Sequence, residues 1–364
     1  EITCRDWSSD VCSSDLCMAP SQMIRPAQRK IAAILEVLGV YAAGQLLGYA
    51  LFALFGSLLG IPLQNPLQEI TPGLTQAHLL RITGRLLVLL VCQYAGWMAL
   101  VLAVGGWRRR HALAHHGLTL AGHSFGRLLK VGVLLFAVAE LFPKLLSLLD
   151  SLLPLGEQIA WREALYQLDW STPAFWAFMA VGSYGLIPIL EEVFYRGYVQ
   201  TRLEEDFGAP LAIVSTAFLF AFSHSQYLVL NVFNVGMMLS LLLSAVAWGY
   251  IFYRTRSLLP TMIAHALVNL PLRGAGLWIQ LVLMLVVIVV ARRPIARTLL
   301  DGWALLRSLS GHWRGLAVAV AFGLFAVAFA LLGDLVLLVG CGCFVSALIL
   351  IAIEKRRTKK ALLA

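Results

Sequence analysis

The sequence predicts an all-α, polytopic membrane protein with about ten transmembrane helices. Three observations carry that reading. Of 364 residues, 60% are hydrophobic and only 13% are charged, and the mean hydropathy is +0.82. A soluble domain must cover itself with polar groups and has nowhere to hide so much apolar surface. Uncharged stretches long enough to cross a hydrocarbon layer of roughly 30 Å as helices recur along the chain. The alternating ten-residue pattern of a membrane barrel does not appear, which leaves helices as the spanning element.

The apolar segments run over about 31–59, 84–106, 127–153, 172–204, 209–226, 229–253, 258–273, 275–291, 315–332 and 335–353. The last two form one run too long for a single crossing, and Gly333-Asp334 breaks it as a hairpin would. Gly208 followed by Pro210 reads as a helix stop and then a helix start. Ser257 to Pro260 reads as another start. Pro188 lies inside a segment and is expected to bend it, freeing a backbone carbonyl one turn earlier.

Net charge is +9. The basic residues cluster at segment ends, in Arg108 to Arg110, Arg254 and Arg256, Arg292-Arg293, and Lys355 to Lys360. This is the positive-inside pattern, and no nucleic-acid partner is expected. With the N-terminus (Arg25, Arg29, Lys30) in the cytoplasm, every strong cluster lands inside and both termini are cytoplasmic. The loop at 154–171, with Glu157, Glu163 and Asp169 against Arg162, then lies outside. The plan of many helices and short loops reads as a bacterial plasma (inner) membrane protein.

Residues 1–17 read as a non-native stretch. They do not begin with Met, they carry the near-repeat Ser8-Ser9-Asp10 and Ser13-Ser14-Asp15, and Trp7 to Leu16 resembles translated sequencing adapter. Met18 or Met23 is the expected start. The remaining organisation is 18–171 as N-terminal membrane helices and loops, 172–273 as a catalytic core, and 274–364 as C-terminal membrane helices with a basic tail. Of six cysteines, none forms a CxxC pair, so a thiolate zinc site is not expected. Cys92, Cys341 and Cys343 read as apolar filler. His111, His115, His116 and His123 sit beside arginines at 107–126 and read as a solvated cytoplasmic loop.

Ionisable groups inside spanning segments are costly, and each is a functional hypothesis by default. Lys130 snorkels from a segment end. Glu140 and Lys144 are four apart and read as a structural pair. Asp334 is at a turn, and Glu36 is near the cytoplasmic edge. Glu191 and Glu192 differ from these, because two adjacent carboxylates in an apolar helix are hard to justify structurally. Glu192 and Arg196 are four apart and share a face, so they can pair. Glu191 points about 100° away and is left to face a cavity, as a general base would. A helix-end cluster of salt bridges is the bland alternative for this stretch. His224, after Phe220, and His265 with Asn269 four residues on, supply two more polar points. A lone membrane histidine is often a bond between helices. Counting residues from the intervening turns brings Glu191 and His224 to one depth, with His265 and Asn269 in looser agreement.

Glu191-Glu192-x-x-x-Arg196, Phe220-x-x-x-His224 and His265-x-x-x-Asn269, in this order, resemble the three motifs of the CPBP family. That family includes CAAX-processing endoproteases of the Rce1 type and bacterial Abi-like putative intramembrane proteases. The resemblance covers about residues 172–273 and implies a four-helix catalytic core. It implies an intramembrane endopeptidase in which Glu191 and His224 activate a water. His265 and Asn269 then stabilise the oxyanion, and Glu192 and Arg196 support the site. The implied substrate is a membrane-associated protein or peptide, with membrane lipid as surroundings. The family is described both as metalloprotease and as glutamate-dependent. Glu191, His224 and His265 match a zinc set by type, but the HExxH pattern is absent. Asn269 beside His265 favours an oxyanion site over a zinc ligand. The alternatives are a non-catalytic scaffold or immunity protein of the same family, and an ion-coupled transporter, which should show an internal repeat. Counted against the charge-based topology, the constellation falls nearer the outer leaflet.

Overall fold

The computed structural model describes residues 26–62, 69, 74–107, 113–153, 155–156, 172–270, 275–310 and 313–363. Residues 1–17, Arg108 to His111, the charges of the 154–171 loop, and the side chains of Lys355, Lys359 and Lys360 lie outside this description. Every regular element among the described residues is helical. Helix α1 is Pro26–Leu59, α2 is Gln76–Trp107 and α3 is Phe125–Leu152. Helix α4 runs unbroken through Pro173–Phe178, Met179–Leu186, Ile187–Glu192, Val193–Gln200 and Thr201–Phe207, and its second and fourth stretches are π-helical. Helices α5 to α8 are Ala209–Ser223, Val232–Thr255, Leu259–Val268 and Ala275–Val290. Helices α9 to α11 are Arg292–Arg307, Trp313–Leu332 and Asp334–Leu363.

The chain is thus an all-α polytopic membrane protein. Among the described residues, seven helices are long and apolar enough to cross a membrane, or up to eight if the bent pair α8–α9 forms one span. All ten apolar segments are helical, but two of them stop short. Helix α5 has 15 residues and α7 has 10, giving lengths of about 22 Å and 15 Å against a hydrocarbon layer of roughly 30 Å. The turns follow the sequence signals. Gly208 adopts φ +78° between α4 and α5, and Gly333 adopts φ +43° between α10 and α11. Pro210 and Pro260 each lie in the first turn of their helices.

Helix α9 has no counterpart among the apolar segments. Its polar residues drop it out of a hydropathy window, yet its apolar residues recur at helical spacing.

Helix α1 packs on α2 and α11, and α10 packs on α5. Helix α3 contacts α6, α7 and α8, and α7 also meets α4. The central core gathers Tyr41, Tyr94, Trp97, Phe194, Tyr195, Phe220 and Trp248 around the middle of α4. Near the end of α4 lies a buried charged cluster. Glu36 accepts from Tyr198 Oη at 3.2 Å and from Arg202 Nε at 3.1 Å. Arg202 Nη1 also donates to Asp206 at 2.7 Å and Glu205 at 3.3 Å. Arg29 closes the cluster on Asp206 at 3.3 Å.

His116 departs from the expectation of a solvated loop. It is buried, and its Nδ1 lies 3.1 Å from the Gly197 carbonyl oxygen. A Cβ on Gly197 would come 2.6 Å from the His116 carbonyl oxygen, so glycine is what lets this segment lie against α4.

Candidate functional site

The doubled glutamate sits in the short α-helical stretch Ile187–Glu192, between two π-helical stretches. Such irregularities in a helix are frequent at functional sites. Their local cause includes Pro188. The Ile187 N–H bonds back to Gly182, five residues away. The Ser183 carbonyl would next accept from residue 188, which has no N–H because it is proline. Asn269 takes that carbonyl, donating from Nδ2 at 2.8 Å. The freed carbonyl expected from Pro188 therefore becomes the tie between α4 and the end of α7.

Glu192 and Arg196 are both fully buried and pair at 2.9 Å. Arg196 also reaches the Ala245 carbonyl at 3.5 Å. Its guanidinium lies 4.5 Å from the Phe220 ring centroid and 5.2 Å from that of Trp248, so aromatic faces share its charge. The same Glu192 oxygen lies 3.1 Å from His265 Nδ1. A carboxylate facing Arg196 is an acceptor, so it fixes the proton of His265 on Nδ1 and leaves Nε2 as the basic nitrogen. That Nε2 lies 3.7 Å from Glu191 Oε2. The two glutamates thus face different partners. Glu192 faces Arg196 and one edge of His265, while Glu191 faces the other edge.

Glu191 has a second contact that sequence reasoning missed. The Tyr94 hydroxyl, from α2, donates to Glu191 Oε1. Tyr94 is buried beside Trp97, which stacks on Phe194 of α4 with centroids 4.4 Å apart. The only hint in the sequence is Gln93-Tyr94 within an apolar run. A tyrosine there is ordinary helix packing until the fold places it against a carboxylate.

His224 ends α5 as its C-cap, with φ −82° and ψ 66°. Its Nδ1 lies 2.8 Å from the Phe220 carbonyl oxygen. A carbonyl only accepts, so Nδ1 carries the proton and Nε2 is again the basic nitrogen. The Phe220 ring links His224 to His265, its centroid lying 4.8 Å from that of the His224 ring and 6.3 Å from that of the His265 ring. Asn269 likewise caps the end of α7. Both short helices therefore end on a motif residue. Non-helical backbone at membrane depth is tolerated only where protein buries it or a cavity is lined by it.

The structure thus brings Glu191, Glu192, Arg196 and His265 together and links His224 to His265 through the Phe220 ring. Asn269 is tied to Ser183. Glu191 Oε2, Glu192 Oε2, Arg196 Nε and Trp248 Nε1 are buried without a hydrogen-bond partner, an unusual concentration for a buried cluster. Among the described residues, no three His, Cys, Asp or Glu side chains converge as a metal-binding group.

His265 lies six residues into α7, about 9 Å from its start.

No curated protein and no solved structure matches the chain. Residues 173–271, which hold the glutamate pair, both histidines and Asn269, match the family model described as type II CAAX prenyl endopeptidase Rce1-like, of the CPBP family.

Proposed function

We propose that the protein is an intramembrane endopeptidase in which Glu191 is the general base. The family match supports a protease of the membrane-embedded CAAX type. The observation that carries the mechanism is the state of Glu191. One oxygen is held by Tyr94, and the other is buried, has no hydrogen-bond partner and faces His265 Nε2 at 3.7 Å. A carboxylate and a basic imidazole nitrogen at that separation repel unless a proton or a bound water lies between them. In this reading a water there gives its proton to Glu191 and attacks the scissile carbonyl carbon. The C=O electrons move onto oxygen, where the second amide N–H of Asn269, the one not held by Ser183, opposes the charge. Collapse of that intermediate breaks the C–N bond, and the proton held by Glu191 passes to the leaving amine. Glu192 acts through His265, holding its tautomer and orientation. The substrate is a membrane-associated protein or peptide whose scissile bond reaches the broken ends of α5 and α7.

Glu191, His224 and His265 have the donor chemistry for zinc, but as placed they do not form a three-donor group, and Tyr94 already occupies one oxygen of Glu191. No step is therefore routed through a metal. Cleavage of a membrane-anchored peptide by purified, reconstituted protein tests both claims. Activity is expected with the wild type, to survive exhaustive chelation, and to vanish in Glu191→Gln. Stoichiometric zinc whose removal and return switch activity off and on would overturn the metal-free mechanism. Full activity in Glu191→Gln would overturn the role of the base.

A further inference from the structure

Helix α9 lies outside both the site and the matched segment. It leaves α8 at a bend of 80°. If α8 runs along the membrane normal, α9 runs close to the membrane plane. Its sequence, Arg-Arg-Pro-Ile-Ala-Arg-Thr-Leu-Leu-Asp-Gly-Trp-Ala-Leu-Leu-Arg, divides into three faces. One face docks on α6, where buried Gly302 meets the Tyr250 ring and Asp301 accepts from Arg254 at 3.3 Å. The next face round the helix is apolar and exposed, with Leu299 at 57%, Leu300 at 68% and Trp303 at 66%. Arg293 and Arg297 border that stripe, on the row of residues that continues to Asp301. They are four residues apart and therefore stacked on one face. Both are exposed, and among the described residues no carboxylate pairs with either. Arg254 and Arg256 are already paired, with Asp301 at 3.3 Å and Glu204 at 2.6 Å.

An apolar stripe flanked by arginines, lying across the spanning direction, is the arrangement of a helix seated at the lipid–water boundary. Charge complementarity selects the occupant. We propose that α9 is an interfacial anchor that binds anionic phospholipid. Arg293 and Arg297 hold the headgroup phosphates, and Leu299, Leu300 and Trp303 enter the acyl layer. This assignment is independent of the catalytic reading, since none of these residues belongs to the site.

The test uses the full-length protein in neutral detergent, offered phosphatidylglycerol or phosphatidylcholine, with retained lipid counted by native mass spectrometry. Phosphatidylglycerol is expected to be retained preferentially. A surface arginine contributes roughly fivefold to anionic-lipid affinity. Arg297→Gln should therefore weaken retention roughly fivefold, and the double Arg293→Gln/Arg297→Gln variant on the order of tenfold or more. Arg293→Lys/Arg297→Lys should keep most of it. The single glutamine variant and the lysine pair read the charge directly if the double glutamine variant folds poorly. Equal retention of the two lipids by the wild type, or undiminished phosphatidylglycerol on Arg297→Gln, would overturn the proposal.

Discussion

Two charged clusters are buried along α4, and they are built on opposite plans. At the end of the helix, Glu36, Arg202, Asp206 and Arg29 form a chain in which each carboxylate meets a cation and Glu36 meets Tyr198 as well. In the middle, Glu191, Glu192, Arg196 and His265 come together yet leave two carboxylate oxygens and a guanidinium nitrogen without partners. Buried polar groups are normally satisfied, because each orphan costs about 1–3 kcal/mol. A cluster that only holds helices together has no reason to carry that cost. The difference teaches where to look for chemistry. Under the proposed mechanism the saturated cluster is a fastening, and the unsaturated one receives the water and the substrate.

The comparison breaks if the two clusters respond alike to losing a carboxylate. Glu191→Gln is expected to lower peptide cleavage by about 10²–10⁴-fold, the range for loss of a general base, with the melting temperature in detergent unchanged or higher. Glu192→Gln should instead cost about 3–5 kcal/mol of stability, because it strands buried Arg196. Urea or thermal unfolding in micelles measures this. Glu36→Gln should cost less, about 1–3 kcal/mol, since Arg202 keeps Asp206 and Glu205, and it should leave cleavage intact. A Glu36→Gln variant that folds normally but is inactive would erase the distinction between the clusters. Tyr94→Phe sharpens the comparison most finely. It removes only the hydroxyl held by Glu191, so a fall of about tenfold in kcat with little change in KM is expected. An unchanged kcat would show that Tyr94 serves packing alone.

The sequence made part of this site legible. The pairing of Glu192 with Arg196 follows from a spacing of four on one helix, and the divergence of Glu191 follows from the 100° step. Gly208, Pro210 and Pro260 mark turns through local backbone chemistry, which sequence states directly. The bond from His265 to Glu192 was not readable, because it depends on how α7 leans on α4. Tyr94 lies 97 residues from Glu191 and outside the matched segment, so only folding joins them. His116 was misread because a polar loop beside arginines looks solvated, whereas its burial is decided by the missing side chain of Gly197 on another helix. Helix α9 escaped because hydropathy measures how greasy a segment is, whereas amphipathic helices are betrayed by periodicity.

The π-helical stretch before Pro188 has a consequence for how this site can change over generations. A turn closed five residues back holds one residue more than a turn closed four back. Losing a single residue between Met179 and Leu186 would let the segment return to ordinary winding with the flanking helix still in phase. The Ser183 carbonyl would then accept from its own helix, Asn269 would lose its acceptor, and α7 would lose its latch. The loop at 225–231 has slack to absorb an added or deleted residue without that loss. Length variation in this protein is therefore expected to accumulate in its connections, with the residue count between Thr172 and Glu192 held fixed wherever cleavage is retained.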